Sequence, residues 1–376
     1  DGGRATLLLL DRADDPLSPL MHEFTYQCLV QDLLDIQDDR VTYVSETGKG
    51  KVKKDALLND SDNLWAELRH EHIAKVLNDL GNRFRELVAS NAGAAALVKG
   101  DGRQMTVEQM AKATKDLPEF QELSKKMSQH VRLSQECMTR LESINLLQAG
   151  ALEQTMALGT DDRGKSRACK DILDGWIMDG NEYQPGLLEM LKAARTPEEM
   201  KLRLIGIFNV TQPKATPDER RRVISTAGLA STSAAVLEGL ERLAAAAGVG
   251  GGGKGGADLS TGKKGSKFLK SLGFGASKQA EESHEYTHMR YTTPLKTTLD
   301  KLLADELSFD DFPSLLPMPA QGPTRKPVGR SIRKGGGAQD GGSYSGARVI
   351  VFVIGGVCYS EMRAAYEAMH SNAREV

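Results

Sequence analysis

The residues best equipped for chemistry lie close together near the start of the chain. Asp11, Asp14, Asp15, His22 and Glu23 fall within LLLLDRADDPLSPLMHEFTYQ, Leu7 to Gln27. Carboxylates and an imidazole at the end of a buried strand could bind a metal or act as general acid and base. A metal-dependent hydrolase using Asp11, Asp14 and His22 is one reading of the stretch. No second group of ligands accompanies it at a recognisable spacing. The other reading is structural. Arg12 pairs with a nearby aspartate, and Pro16 and Pro19 stiffen the exit from the strand. Asp11, Arg12 and Pro16 then mark a junction between two parts of the fold, with Asp11 and Arg12 paired at the corner.

Other chemically suggestive residues carry less. His70 and His72 in RHEHIA would sit about 200° apart on a helix, so they cannot share a metal as an i, i+4 pair does; one packs and the other is solvated. Gly248 to Lys254 spells GxxxxGK, but Gly255 stands where a phosphate loop needs Ser or Thr, and an alanine-rich helix precedes it instead of a strand. Gly355-Gly356 is not GxGxxG and reads as a tight turn that lets a helix pack closely. Cys28, Cys137, Cys169 and Cys358 have no CxxC spacing. A zinc ribbon and a disulfide framework are not expected, and a reducing cytosol is the natural compartment. No cofactor or metal is expected.

Composition narrows the classes further. The 376 residues are 40% hydrophobic and 27% charged, with formal net charge −2. That balance lacks the basic excess of a general nucleic-acid binder. The longest apolar run, VIVFVIGGVCY, is far short of the roughly 20 residues of a membrane span, and no signal peptide precedes the first strand. Membrane association is expected to be peripheral.

Two continuously apolar runs, Thr6 to Leu10 and Val349 to Ile354, read as strands buried on both faces. The second leads through Gly355-Gly356 to Ser360, a helix N-cap, and the helix EMRAAYEAM. Nothing else is strongly strand-like. Two strands make too small a parallel sheet, so both ends are expected to belong to one α/β domain whose other strands lie elsewhere. The start at Asp1 is read as that of a fragment.

What lies between is expected to be a mainly helical insertion. LWAELRHEHIAKVLNDLGNRFRELV places Leu64, Leu68, Val76, Leu80, Phe84 and Leu87 on one helical face. Thr106 and Gln109 form a capping box that opens the helix VEQMAKATKDL. Pro118 is expected to interrupt that helix, with Asp116 and Glu119 capping a new start. The stripe resumes through Phe120, Leu123, Met127, Val131, Met138, Leu141 and Ile144, long enough to dock a partner helix. Further helices begin at Thr196-Pro197-Glu198-Glu199 and Thr216-Pro217-Asp218-Glu219, each with a threonine N-cap. The glycine- and lysine-rich stretch from Gly248 and the segment from Ala320 to Gly346 read as flexible loops. The lysines from Lys254 to Lys278 read as a solvated basic loop.

Several stretches taken together resemble a known family. LLLLDRADDPLSPLMHEFTYQCLVQDLL, DNLWAELRHEHIAKV, KDLPEFQELSKKMSQHVRLSQECM, ALGTD and ARVIVFVIGGVCYSEMRAAYE are similar to the SM family, the Sec-one/Munc-eighteen-type syntaxin-binding proteins, in the family's own order. The resemblance implies a mixed α/β, arch-shaped protein whose mainly helical third domain is inserted into a parallel-sheet second domain. Residues 1–17 and 347–376 would be pieces of the second domain. Residues 18–144 and 145–346 would be the two parts of the third, the latter with a Gly/Lys-rich loop near 248–280. The amino-terminal domain and the end of the second domain would be absent.

The resemblance also implies a non-enzymatic, cytoplasmic regulator of vesicle docking and membrane fusion. It would bind a syntaxin-type SNARE and assembling SNARE helices, and touch membranes only peripherally. Pro118 matches the family's hinge in a helical hairpin that accepts the vesicle SNARE, and Leu133 matches an apolar contact position there. Pro118, Phe120, Leu123, Met127 and Leu133 are the expected partner-binding residues.

Overall fold

The computed structural model describes residues 5–47, 50–91, 107–178, 182–246, 290–308, 311–315, 348–371 and 376. The first apolar run forms strand β1 (Thr6–Asp11). Two short 3-10 turns, Arg12–Asp14 and Ser18–Leu20, follow it. Helix α1 (Tyr26–Leu33) comes next, with Tyr26, Leu29 and Val30 buried. A three-stranded antiparallel sheet then appears where no strand was expected: β2 (Ile36–Gln37), β3 (Arg40–Thr47) and β4 (Gly50–Leu57), in that order. Val41 and Tyr43 alternate inward, a period-2 pattern that the search for continuous apolar runs passes over.

The long helical stripe after Leu64 is broken in two. Helix α2 (Asn63–Leu68) ends before a turn at Arg69–His72, and α3 (Ile73–Ser90) starts beyond it. Asp62 caps α2 by accepting from Leu64 N and Trp65 N, and the His72 ring caps α3 by accepting from Ala74 N. Leu64, Leu68, Val76 and Leu80 are buried, as the spacing requires.

Helix α4 (Val107–Ser143) runs through Pro118 without interruption, contrary to expectation. Asp116 and Glu119 therefore cap no new start, and Thr106 lies outside the described residues. The proline is exposed, so its ring meets solvent and not a packed neighbour. Tertiary packing downstream outweighs the one missing backbone donor. Asn145, at φ 59°, turns the chain into α5 (Leu146–Leu158), which is buried along most of its length.

The rest of the helical body is α6 (Cys169–Asp174), the small strands β5 (Trp176–Ile177) and β6 (Tyr183–Gln184), α7 (Leu187–Lys192), α8 (Glu198–Thr211), α9 (Pro217–Ala227) and α10 (Ser231–Ala246). At α9 the expected box is present: Thr216 accepts from Glu219 N, and Glu219 accepts from Thr216 N. At α8 it is not. The helix starts at Glu198, and the buried Thr196 hydroxyl finds no partner. One core unites α1, the β2–β4 sheet, α2, α3, the later part of α4 and α5 to α10. The stretch from Gly248 to Lys278 and the segment from Ala320 to Gly346 lie outside the described residues.

The second apolar run forms β7 (Val349–Ile354), which pairs with β1 in parallel, Leu8 opposite Val351. The two ends of the chain thus share one sheet, as expected. Helices α11 (Pro294–Leu303) and α12 (Tyr359–Ser371) complete this unit. Leu8 and Val349 pack with Leu295, Leu299 and Leu302 of α11 and Ala368 of α12 in a second core. The other sheet face is apolar but bare: Leu7, Leu9, Ile350, Phe352 and Ile354 are all exposed. Helix α12 starts at Tyr359, so Ser360 is inside it; the Glu361 carboxylate accepts from Cys358 N at 3.0 Å and closes the first turn.

Candidate functional site

The acidic cluster near residue 11 resolves into a structural corner. Asp11 does not pair with Arg12; its carboxylate accepts from Ala13 N at 2.9 Å and caps the 3-10 turn. Arg12 is buried and reaches across the fold. Its Nη2 donates to both Glu361 oxygens, at 2.8 and 2.7 Å, and to Gly356 O at 2.9 Å, while Nη1 donates to Asp15 O. Asp15 lies 3.8 Å from the guanidinium and accepts from Leu17 N and Ser18 N. Pro16 is buried beside it. Gly355, at φ 107°, turns the chain so tightly that a Cβ there would lie 2.6 Å from Arg12 Cβ. The tight turn implied by the sequence is present, but what it lets approach closely is Arg12 and not a helix.

His22 points elsewhere. Its Nδ1 lies 2.7 Å from Glu153 Oε1 in α5, and its backbone N–H donates to Glu153 Oε2. Burial alone would lower the imidazole pKa; the Glu153 charge and hydrogen bond outweigh it and raise the value. Glu23 forms an ion pair with Arg363. Among the described residues no group of three or more His, Cys, Asp or Glu is placed to hold a metal. Asp11, Asp14 and His22 are not brought together, and the hydrolase reading loses its site.

The histidines 70 and 72 sit in the turn between α2 and α3, not on a helix. His72 is the cap already described. His70 lies against the Tyr366 ring, centroids 4.7 Å apart, and is itself only half-buried. Burial first, then the positive charges of Arg69, Arg363 and His370, push its pKa down to about 4.

Helix α4 is the remaining candidate, and its two halves differ. Beyond Met127 it is a core element: Leu133, Cys137 and Leu141 are wholly or almost wholly buried. His130, unnoticed in the sequence although it falls within the stripe, is fully buried there. Its Nε2 lies 3.2 Å from Asp62 Oδ2 and its Nδ1 3.0 Å from Tyr26 Oη. An ionised carboxylate only accepts, so Nε2 carries the proton that faces Asp62, and the second ring nitrogen is held by the Tyr26 hydroxyl. Burial works against ionising Asp62, yet the His130 hydrogen bond and charge and the capping N–H groups hold its pKa below the usual range.

The earlier half lies against α3. Phe120 is buried in a satellite cluster with Leu87, Val88 and Leu117. Met127 is buried and Leu123 half-buried. Of the five residues expected to meet a partner, Phe120, Met127 and Leu133 therefore face the protein's own interior, because the same apolar stripe that could template a helix is claimed by α3 and the core. Only Pro118 and, in part, Leu123 reach solvent. The accessible face of α4 is polar. Glu122, Lys125, Lys126 and Gln129 look across a cleft at Leu57, Ser61 and Asp62.

With this geometry in place, residues 1–376 match the Sec1 family. The chain belongs to the Sec1 family. Protein transport protein sec1 of Dictyostelium discoideum is 30% identical over 377 residues, 97% of this chain and 57% of that protein. SNARE-interacting protein KEULE of Arabidopsis thaliana is 26% identical over 410 residues, 98% of this chain and 57% of that protein. This Sec1-family chain thus spans little more than half the length of these curated relatives. The same fold occurs in the Unc18–syntaxin 1 complex from Monosiga brevicollis, at TM-score 0.70 and 23% identity, covering 99% of this chain and 57% of that one. It recurs in the SM protein Vps45 in complex with the Qa SNARE Tlg2, at TM-score 0.60 and 21% identity, covering 97% and 54%.

Proposed function

We propose that this chain is a SNARE-binding regulator of vesicle docking and membrane fusion in protein transport, with no catalysis of its own. The observation that carries the reading is the family match along all 376 residues. Relatives named for protein transport and SNARE interaction support it. So do neighbours of the same fold held in syntaxin and Qa SNARE complexes. In this reading residues 18–144 and 145–346 form a helical domain inserted between the two sheet pieces, 1–17 and 347–376, of an arch-shaped protein. The protein works in the cytoplasm and reaches membranes through its SNARE partners; no helix among the described residues is long and apolar enough to cross one.

The partner surface is the solvent face of α4 from Pro118 to Gln129. A syntaxin-type SNARE and a vesicle SNARE are its partners, the latter on α4. The straight helix through Pro118 holds this face out, while Phe120 fixes it on Leu87 and Val88 of α3 from beneath. Substituting the buried Leu133 would disturb the core and say little about binding, so the test uses exposed positions. Glu122→Lys combined with Lys125→Glu is expected to leave the far-ultraviolet dichroism unchanged and to weaken capture of a vesicle SNARE or an assembled SNARE helix bundle. Unchanged capture by this variant would remove α4 from the reading. Failure of the parent chain to bind any SNARE would remove the reading itself.

A further inference from the structure

The cleft beside α4 has a volume of about 280 Å³. One wall is α4 itself, where Glu122, Lys125, Lys126 and Gln129 share one side of the helix over about 10 Å of its axis. The other wall is the connection from β4 to α2, with Leu57 and Ser61 exposed and Asp62 buried. Most polar groups here are already engaged. Glu122 faces Lys126 at 3.7 Å, one turn along the helix. The Ser61 hydroxyl donates to Asn59 Oδ1 at 2.6 Å. One Asp62 oxygen accepts from Leu64 N and Trp65 N, and the other is held by His130. Lys125 and Gln129 are left over: neither is hydrogen-bonded or ion-paired to a described residue. On the opposite wall the Leu57 side chain is 41% exposed.

We infer that this cleft reads one acidic side chain of the docked partner helix: its carboxylate seats between Lys125 and Gln129, and an aliphatic side chain one turn away covers Leu57. The inference rests on the α4 reading given above and adds the connection from Leu57 to Asp62 as the second wall of that surface. The Lys125 ammonium and the Gln129 amide both donate to a carboxylate. Between two protein walls a carboxylate has less water around it than on an open helix, so its attraction to Lys125 acts through a lower effective dielectric. Glu122 does not cancel that attraction, because Lys126 meets its charge. A basic side chain would have to displace Lys126 from Glu122, and both oxygens of Asp62 are taken. The volume falls below the roughly 300–1,000 Å³ of small-molecule pockets and suits one or two side chains. Two turns of accessible α4 match side chains spaced i and i+4 on a helix laid beside it. Charged contacts of this kind steer the encounter and weaken with salt.

The test measures capture of an assembled SNARE helix bundle by the chain at low and physiological salt. Lys125→Gln is expected to weaken capture roughly two- to five-fold at low salt, the range of an exposed ion pair, and to flatten its salt dependence. Leu57→Asp is expected to weaken capture as well, with unchanged far-ultraviolet dichroism in both variants. Lys125→Glu is expected to be rescued when one exposed acid of the bundle is replaced by lysine, and the parent is expected to bind that altered bundle less well. No capture by the parent overturns this inference together with the α4 reading. Capture that Lys125→Gln leaves unchanged or strengthens overturns the acidic contact, as does the absence of any rescuing lysine in the bundle. Capture that Leu57→Asp leaves unchanged overturns the second wall. In these last cases the α4 reading stands or falls separately, on the Glu122→Lys/Lys125→Glu variant.

Discussion

Arg12→Ala is the perturbation that most directly probes how the two ends of the chain are joined. The guanidinium is about nine-tenths buried, and Glu361, its partner in α12, is more deeply buried still. The substitution removes two hydrogen bonds to Glu361, one to Gly356 O and one to Asp15 O. Glu361 would be left with Cys358 as its remaining partner. Stranding one member of a buried pair costs about 3–5 kcal/mol, more than the pair itself contributes. Replacing both, as Arg12→Met/Glu361→Leu, is therefore expected to cost less than Arg12→Ala alone. Hydrogen exchange along β7 and α12 reads the local stability, and urea unfolding of the parent, Arg12→Met, Glu361→Leu and the double variant reads the coupling. A cost below about 1 kcal/mol for Arg12→Ala, or additive costs for the pair, would refute the clamp.

Three further outcomes follow from the same geometry. His22 has a raised pKa against Glu153, so its contribution to stability is full below about pH 6.5 and is lost as pH rises through the higher folded value; the stability difference between the parent and Glu153→Gln is expected to shrink from pH 6 to pH 8.5 in urea titrations, and a growing difference would reverse the assignment. Gly355→Ala combines a φ of 107° with a clash at Arg12 Cβ and is expected to destabilise by more than about 1–2 kcal/mol, whereas Gly228→Ala, at φ 60° with no atom within 4 Å, is expected to cost about 1 kcal/mol; equal thermal shifts would show that the contact with Arg12 carries nothing. Pro118→Ala restores a backbone donor inside α4 and is expected to stabilise the straight helix by up to about 3 kcal/mol, read as slower amide exchange between Val107 and Leu117.

What the sequence made legible follows from how each signal arises. The runs at Leu7–Leu10 and Val349–Ile354 stood out because strands of a parallel sheet are continuously apolar, and their pairing followed from having no other mate. The β3–β4 hairpin was missed because its outer part is half exposed and lysine-rich; the alternation of Val41 and Tyr43 was the available clue. The turn at Arg69–His72 was hidden because apolar spacing carries through it, and only Asp62 and His72 as caps mark the break. At Pro118 one missing donor at an exposed position yields to the packing that holds the rest of α4. The corner at Asp11–Pro16 was recognised as structural, but the partner of Arg12 could not be read locally, since Glu361 lies 349 residues away. On α4 the stripe showed an apolar face without showing who covers it. The core and α3 take Phe120, Met127 and Leu133, and the solvent face left over is polar.

The central claim is that a Sec1-family chain presents the solvent face of α4 to SNARE helices. Hydrogen exchange of the chain with and without an assembled SNARE helix bundle tests it most directly. The account predicts added protection in Leu117–Gln129, with the already buried stretch from Leu133 to Leu141 unchanged. Protection confined to other elements, or none anywhere at saturating bundle, would contradict it.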